Sequence, residues 1–176
     1  MKARNLDDSH GMQVQDWHSV EAVLKKGFPQ APGDGGPNRH TSWLTTIEPD
    51  GSPHVTAVGA IWMDGAFFFQ TGDHPRKAKN LARDPRCVMS LSVHDFDLVV
   101  EGTAEKITDP AIVARAAAMW AAGGWPCEVD ESGLGLTAPF NAPATGPSPW
   151  FVYKITPRSA TSVSTIEPGG TTRWTF

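Results

Sequence analysis

The stretch "TSWLTTIEPDGSPHVTAVGAIWMDGAFFFQT", residues 41–71, decides how this chain folds. Two Asp-Gly pairs, Asp50-Gly51 and Asp64-Gly65, separate three runs rich in β-branched and aromatic residues. Asp-Gly supplies the positive φ that tight hairpin turns need. The reading is three consecutive antiparallel strands: Ser42 to Ile47, His54 to Met63, and Ala66 to Thr71. In the second strand Val55, Ala57, Gly59, Ile61 and Met63 alternate with His54, Thr56, Val58, Ala60 and Trp62. The first set is all apolar or Gly and is expected to face the core. The second is mixed, as on a face that meets a ligand, a partner subunit or solvent; periodicity alone does not choose.

Downstream, "HPRKAKNLARD" (74–84) has an apolar stripe of Ala78, Leu81 and Ala82 at helical spacing. Pro75 suits the first helical position, with Asp73 or His74 as cap, and Asp84-Pro85 ends the helix. "RCVMSLSV" (86–93) and "DLVVEGTAEKIT" (97–108) read as strands. "DPAIVARAAAMWAA" (109–122) reads as a helix closed by Gly123-Gly124. Residues 125–149 form a long Gly/Pro-rich loop, of a length that is often functional. "WFVYKITP" (150–157) and "SATSVSTIE" (159–167) are late strands, and "TTRWTF" (171–176) a final short one. Upstream, "DWHSVEAVLKKGF" (16–28) is a short helix with Val20, Val23 and Leu24 on one side. "PQAPGDGGPN" (29–38) is a loop. Residues 1–40 are therefore expected to be an N-terminal extension and residues 41–176 the main domain. Hairpin-linked strands with two inserted helices imply a mainly β fold, an antiparallel barrel with helices in its gaps.

The net charge of −4 argues against nucleic acid as a partner. The two cysteines, Cys87 and Cys127, lack metal-ligand spacing, and the six histidines are scattered, so no metal site is expected. No apolar run approaches the ~20 residues that cross a bilayer. The first residues carry no apolar signal core, so a cytoplasmic protein is expected. Neither a Rossmann nor a P-loop fingerprint is present, nor a nucleophile elbow.

The chemistry concentrates at the end of the third strand. Arg76, Lys77, Lys79, Arg83 and Arg86 fall within eleven residues of an acidic chain. The strand delivers Gln70 and Thr71, a tight turn follows, and then a helix begins. A helix N-terminus favours an anion through its free N–H groups and its dipole. Arg76 can grip a phosphate with two donors, Lys77 adds a point charge, and Thr71 a hydroxyl. Helical phase sends Lys79 and Arg83 outward and puts Lys77 at the border of the apolar stripe. On chemistry alone, a phosphate site and a solvated basic face stand level. Several tryptophans, Trp174 among them, can stack on a flat ligand or simply fill the core. With a phosphate grip and no nucleophile or acid–base pair, the residues suit a protein whose cofactor carries the reactivity.

"WLTTIEPDGSPHVTAVGAIWMDGAFFFQTG", "RKAKNLARDPRCVMSL" and "VVEGTAEKITD", in that order, resemble the pyridoxamine 5′-phosphate oxidase-like family of flavin-binding split β-barrels. That family includes deazaflavin-dependent reductases. The resemblance spans Ser42 to Asp109, and the "TTRWTF" ending also fits. It implies an antiparallel split-barrel homodimer with the cofactor at the subunit interface. It implies that Arg76 and Lys77 grip the cofactor phosphate, helped by Thr71. Thr56, Ala57 and Val58 would line the ring system, Asn80 would belong to the helix motif with Leu81, and Trp174 would stand with the cofactor residues. The cofactor implied is FMN, with the deazaflavin coenzyme F(420) as the alternative. The activity implied is hydride transfer to a small unsaturated substrate. Where true pyridoxamine phosphate oxidases carry an Arg-Gln pair, this chain has Phe96 and Asp97, so that particular oxidation is not expected. A second function class is a non-catalytic flavin or haem carrier on the same barrel, with His54 or His94 as candidate haem ligands.

Overall fold

The computed structural model describes residues 1–6, 12–28, 41–140 and 146–176. The expected loop at 29–38 lies outside these residues. The chain is a mainly antiparallel sheet with three helices, the split β-barrel that the sequence implies. Its order is β1 (Lys2–Asn5), α1 (Trp17–Lys26), β2 (Ser42–Ile47), β3 (Pro53–Val58), β4 (Ile61–Met63), β5 (Ala66–Thr71), α2 (Arg76–Arg83), β6 (Arg86–Ser92), β7 (Phe96–Lys106), α3 (Pro110–Ala122), β8 (Glu128–Val129), β9 (Gly135–Thr137), β10 (Trp150–Ser164) and β11 (Thr171–Thr175).

The sheet runs β1-β11-β10-β7-β6-β2-β3, with β5, β4, β9 and β8 branching from β10. β10 explains the split. Along one edge it pairs with β7 from Tyr153 to Ser164. Along the other it pairs with β5 through Phe151–Ile155 and then with β11 through Ser159–Val163. The register slips between Pro157 and Ser159, where the partner changes. A bulge there bends the strand and turns the sheet. The two late strands expected from sequence are thus one bent strand. Opposite the bend sits Gly102, where a Cβ would stand 2.3 Å from the carbonyl oxygen of Thr156. Only glycine lets the two backbones approach this closely.

The hairpin turns follow from the Asp-Gly pairs. Asp64 and Gly65 have φ of 51° and 75°, and Gly51 has φ of 87°. β5 is apolar on both faces because both are buried. Phe67 and Phe69 enter a core with Leu44, Met89, Leu98, Ile155 and Trp174. Phe68 enters a second core beneath α3 with Val113, Trp120, Leu136 and Trp150. Alternation along one strand joins the two cores.

Two sequence expectations need correction. The second strand breaks after Val58 instead of running on to Met63. Its expected faces are also reversed at the start: Val55 and Ala57 point outward, while His54, Thr56 and Val58 are half-buried. β3 is an edge strand, and its outward side chains extend an apolar patch around Trp43 instead of entering the core. The described residues of the N-terminal extension pack on the main domain. β1 pairs with β11, and Trp17, Val20 and Leu24 of α1 lie in the first core.

Candidate functional site

β2 supports the site from below. Thr46, fully buried, lies opposite His54 in the β2–β3 ladder. Its hydroxyl also accepts a hydrogen bond from Asn80 Nδ2 at 3.1 Å. Arg83 of α2 donates to the carbonyl of Ile47, and Arg76 Nη1 lies 3.4 Å from Glu48 Oε1. Three successive positions of β2 and its turn therefore hold α2 in place. Asn80 belongs to this scaffolding, as its place in the helix motif implies. Arg83, expected in solvent, is exposed but spends a donor on this tie.

α2 begins one residue later than expected. Pro75 is its N-cap, and no side chain caps the helix. Neither Asp73 nor His74 takes the capping role. Asp73 instead pairs with Lys106 Nζ at 2.9 Å. An uncapped N-terminus leaves backbone donors available to an anion.

In front of this terminus lies a cleft of about 640 Å³. One wall is His54 and Thr56 of β3, the floor is the turn from Gly72 to Lys77, and the far wall is Gly146–Pro149 and Phe151. Lys77 is the decisive residue. It is only 3% exposed, borders the cleft, and has no hydrogen-bond or ion-pair partner among the described residues. Burial pulls its ammonium below the ordinary lysine range. A buried charge without a counter-charge is costly, so the position asks for an anion. Thr71 Oγ1, at the end of β5, is likewise buried without a partner. Arg76 is exposed and within reach of the same cleft. The nearby acids are engaged: Glu48 faces Arg76 at 3.4 Å and His54 Nδ1 at 3.7 Å, and Asp73 holds Lys106.

The other expected residues separate. Thr56 lines the cleft. Val58 is half-buried against the first core, and Ala57 faces outward beside Trp43. Gln70 lies on the opposite face of β5 from Thr71, its Oε1 buried and unpartnered, and does not line the cleft. Trp174 is a correction: it is fully buried, its ring centroid 5.2 Å from that of Trp17, and is a core residue with no surface for a ligand. Of the two haem candidates, His94 is a surface residue at Asp95, and His54 Nδ1 turns toward Glu48. Phe96 is buried in the core and Asp97 accepts from Ser92 Oγ.

Several residues of the site were not legible in the sequence. Phe151 joins it through pairing between distant strands, and Glu48 and Lys106 pair with its charged residues Arg76 and Asp73. Phe151 lies directly opposite Thr71, and Lys106 opposite Tyr153. Of the long loop, residues 146–149 reach the cleft, and 128–137 fold into a small hairpin built on Asp130. Residues 141–145 lie outside the described set.

Comparison with known families matches the pyridoxamine 5′-phosphate oxidase profile over residues 36–156. That range holds most of the barrel, the turn from Gly72 to Lys77 and the cleft. The chain belongs to the pyridoxamine 5′-phosphate oxidase family. Among solved structures it resembles a conserved hypothetical protein of Mycobacterium tuberculosis at 24% identity, covering 89% of this chain and 88% of that one, with a TM-score of 0.58. It also resembles a pyridoxamine 5′-phosphate oxidase-related, FMN-binding protein of Nostoc punctiforme at 18% identity, covering 91% of each chain, with a TM-score of 0.55. An F(420) reductase matches at 19% identity over 80% of this chain and 94% of its own, with a TM-score of 0.51. At these identities the structures speak for the fold. No curated protein sequence matches. Among the described residues no helix is long and apolar enough to cross a membrane.

Proposed function

We propose that this member of the family binds a phosphate-bearing flavin, FMN in the first instance, and acts as an oxidoreductase on a small unsaturated substrate. The observation that carries the reading is Lys77, buried, unpaired and bordering a cleft at an uncapped helix N-terminus. Arg76, Lys77 and the first amides of α2 hold the phosphate, and Thr71 offers a hydroxyl. Thr56 lines the chain of the cofactor. Asn80 acts through the helix it anchors. F(420) also carries a phosphate, and the same grip suits it. When bound, the flavin supplies the hydride chemistry. The protein's part is to hold it, orient it and shield the acceptor from water. The carrier reading gains from haem chemistry only if a histidine is aimed into the cleft with a free nitrogen, and the Glu48 contact of His54 does not favour that.

The chain is further proposed to work as a homodimer. The outward face of β2, β3, β6 and β7 carries Trp43 at 47% exposure and Val55 at 53%, with Val99 and Ala57 beside them. Exposed large apolar side chains gathered on one sheet face, with only Ser90 and Thr45 between them, suit contact with a second copy. Absorption spectroscopy of the purified protein, with mass spectrometry of the released ligand, tests the cofactor. A flavin band supports the reading, a deazaflavin band selects F(420), and a haem Soret band overturns it. Reduction by a nicotinamide cofactor with turnover of an added acceptor separates enzyme from carrier.

A further inference from the structure

The far wall of the cleft has a chemistry of its own. Phe151 borders the cleft, and Lys106, which does not, places its ammonium 3.1 Å from the centre of the Phe151 ring. That is well inside the ~6 Å range of a cation–π contact. Asp73 fixes the ammonium at 2.9 Å. The Phe151 ring packs against the first core and has one face occupied by the ammonium. Pro147 and Pro149 line the same cleft.

We propose that Phe151 is a stacking platform for a planar, electron-rich ring, polarised for that purpose by the Asp73-held ammonium of Lys106. A cation over one face of an aromatic ring draws π density toward itself. The side left to the cleft becomes less negative, and a ring bearing electron-donating groups packs there better than an electron-poor one. Phe151 stands opposite Thr71 in the β5–β10 ladder, so the platform adjoins the anion grip. The planar ring is that of a second molecule beside the phosphate-bearing ligand, because the oxidised isoalloxazine of FMN is itself electron-poor. The proposal goes beyond the flavin assignment, because it concerns that second ring.

The test uses two probes without a phosphate: dihydroxynaphthalene, which is electron-rich, and dinitronaphthalene, which is electron-poor. Each is titrated calorimetrically into the full chain. Wild type is expected to bind the dihydroxy probe about three- to tenfold more tightly than Phe151→Leu does. Lys106→Met keeps the stem over the ring and removes the charge; it is expected to abolish the preference for the dihydroxy over the dinitro probe. Lys106 is partly exposed, so this variant tests the idea even where Phe151→Leu folds poorly. Simultaneous binding of the probe and FMN supports the proposal, and displacement of the probe by FMN counts against it, because it gives the wall to an electron-poor ring. Failure of the dihydroxy probe to bind wild type, equal affinity in Phe151→Leu, or an unchanged preference in Lys106→Met overturns it. If FMN binding proves indifferent to Lys77→Ala while the probe results hold, the cofactor reading fails and the platform stands.

Discussion

Replacing Lys77 by Met separates a lysine kept for a ligand from one kept for the fold. The substitution preserves the aliphatic stem and removes the charge. In the ligand-free protein, Lys77 is 3% exposed and has no described partner, so its charge opposes folding. Relieving a buried polar group of this kind is worth about 1–3 kcal/mol. For a domain of this size each kcal/mol raises Tm by about 2–4 °C. With FMN the effect reverses. A charge-assisted contact to phosphate contributes about 1.5–3 kcal/mol, so Lys77→Met should weaken FMN binding about 10- to 150-fold. The pH dependence has a definite sign. Burial lowers the folded-state value of Lys77 below its ordinary 10.5, so below that pH the unfolded chain binds more protons than the folded one. Stability of the ligand-free wild type should therefore gain a rising contribution as pH climbs from the lowered value toward 10.5, and Lys77→Met should lack it. Urea denaturation of ligand-free protein across this range, paired with FMN titration by flavin fluorescence, measures both effects. A Lys77→Met variant that is less stable and binds FMN unchanged would refute the reasoning and make Lys77 a structural residue.

Gly102→Ala should destabilise the fold by about 1–3 kcal/mol, because its Cβ would stand 2.3 Å from a backbone oxygen that cannot move without bending β10; urea midpoints check this. Trp43→Glu should convert a dimer to monomers in sedimentation while leaving circular dichroism unchanged, since Trp43 is exposed and its loss leaves no cavity. Glu101 accepts from Ser159 Oγ at 2.9 Å and from Arg173 at 3.1 Å, and these contacts, the Ser159 bond foremost, hold its carboxyl below the ordinary 4.5. Its contribution is present above 4.5 and lost as pH falls through the lowered value. Glu101→Gln should accordingly flatten the acid limb of the stability profile, read from Tm against pH.

Local chemistry carried much of this architecture into view. The Asp-Gly turns, the Ser42–Ile47 and Ala66–Thr71 strands, α2 and α3 all follow from turn residues and periodicity over a few positions. Lys77 was legible too, because helical phase alone put it at the edge of an apolar stripe. What escaped was long-range. Val55 and Ala57 alternate as core residues do, but pairing makes β3 an edge whose outward face is apolar, and a period of two cannot tell inward from outward when both faces accept apolar side chains. Trp174 looked available to a ligand until packing against Trp17 placed it in the core. Phe151 reaches the cleft, with Lys106 over its ring, only because β10 lies between β5 and β7. No window of the sequence contains that juxtaposition.

The phosphate grip is the central claim, and the comparison of FMN with riboflavin tests it most directly. The two share the ring and the sugar-alcohol chain and differ in the phosphate. Titrated into the same ligand-free protein at fixed ionic strength, FMN should bind at least about 100-fold more tightly, as two charge-assisted contacts from Arg76 and Lys77 require. The advantage should collapse in the Arg76→Ala, Lys77→Ala double variant. Equal affinity for the two flavins in the wild type would contradict the account.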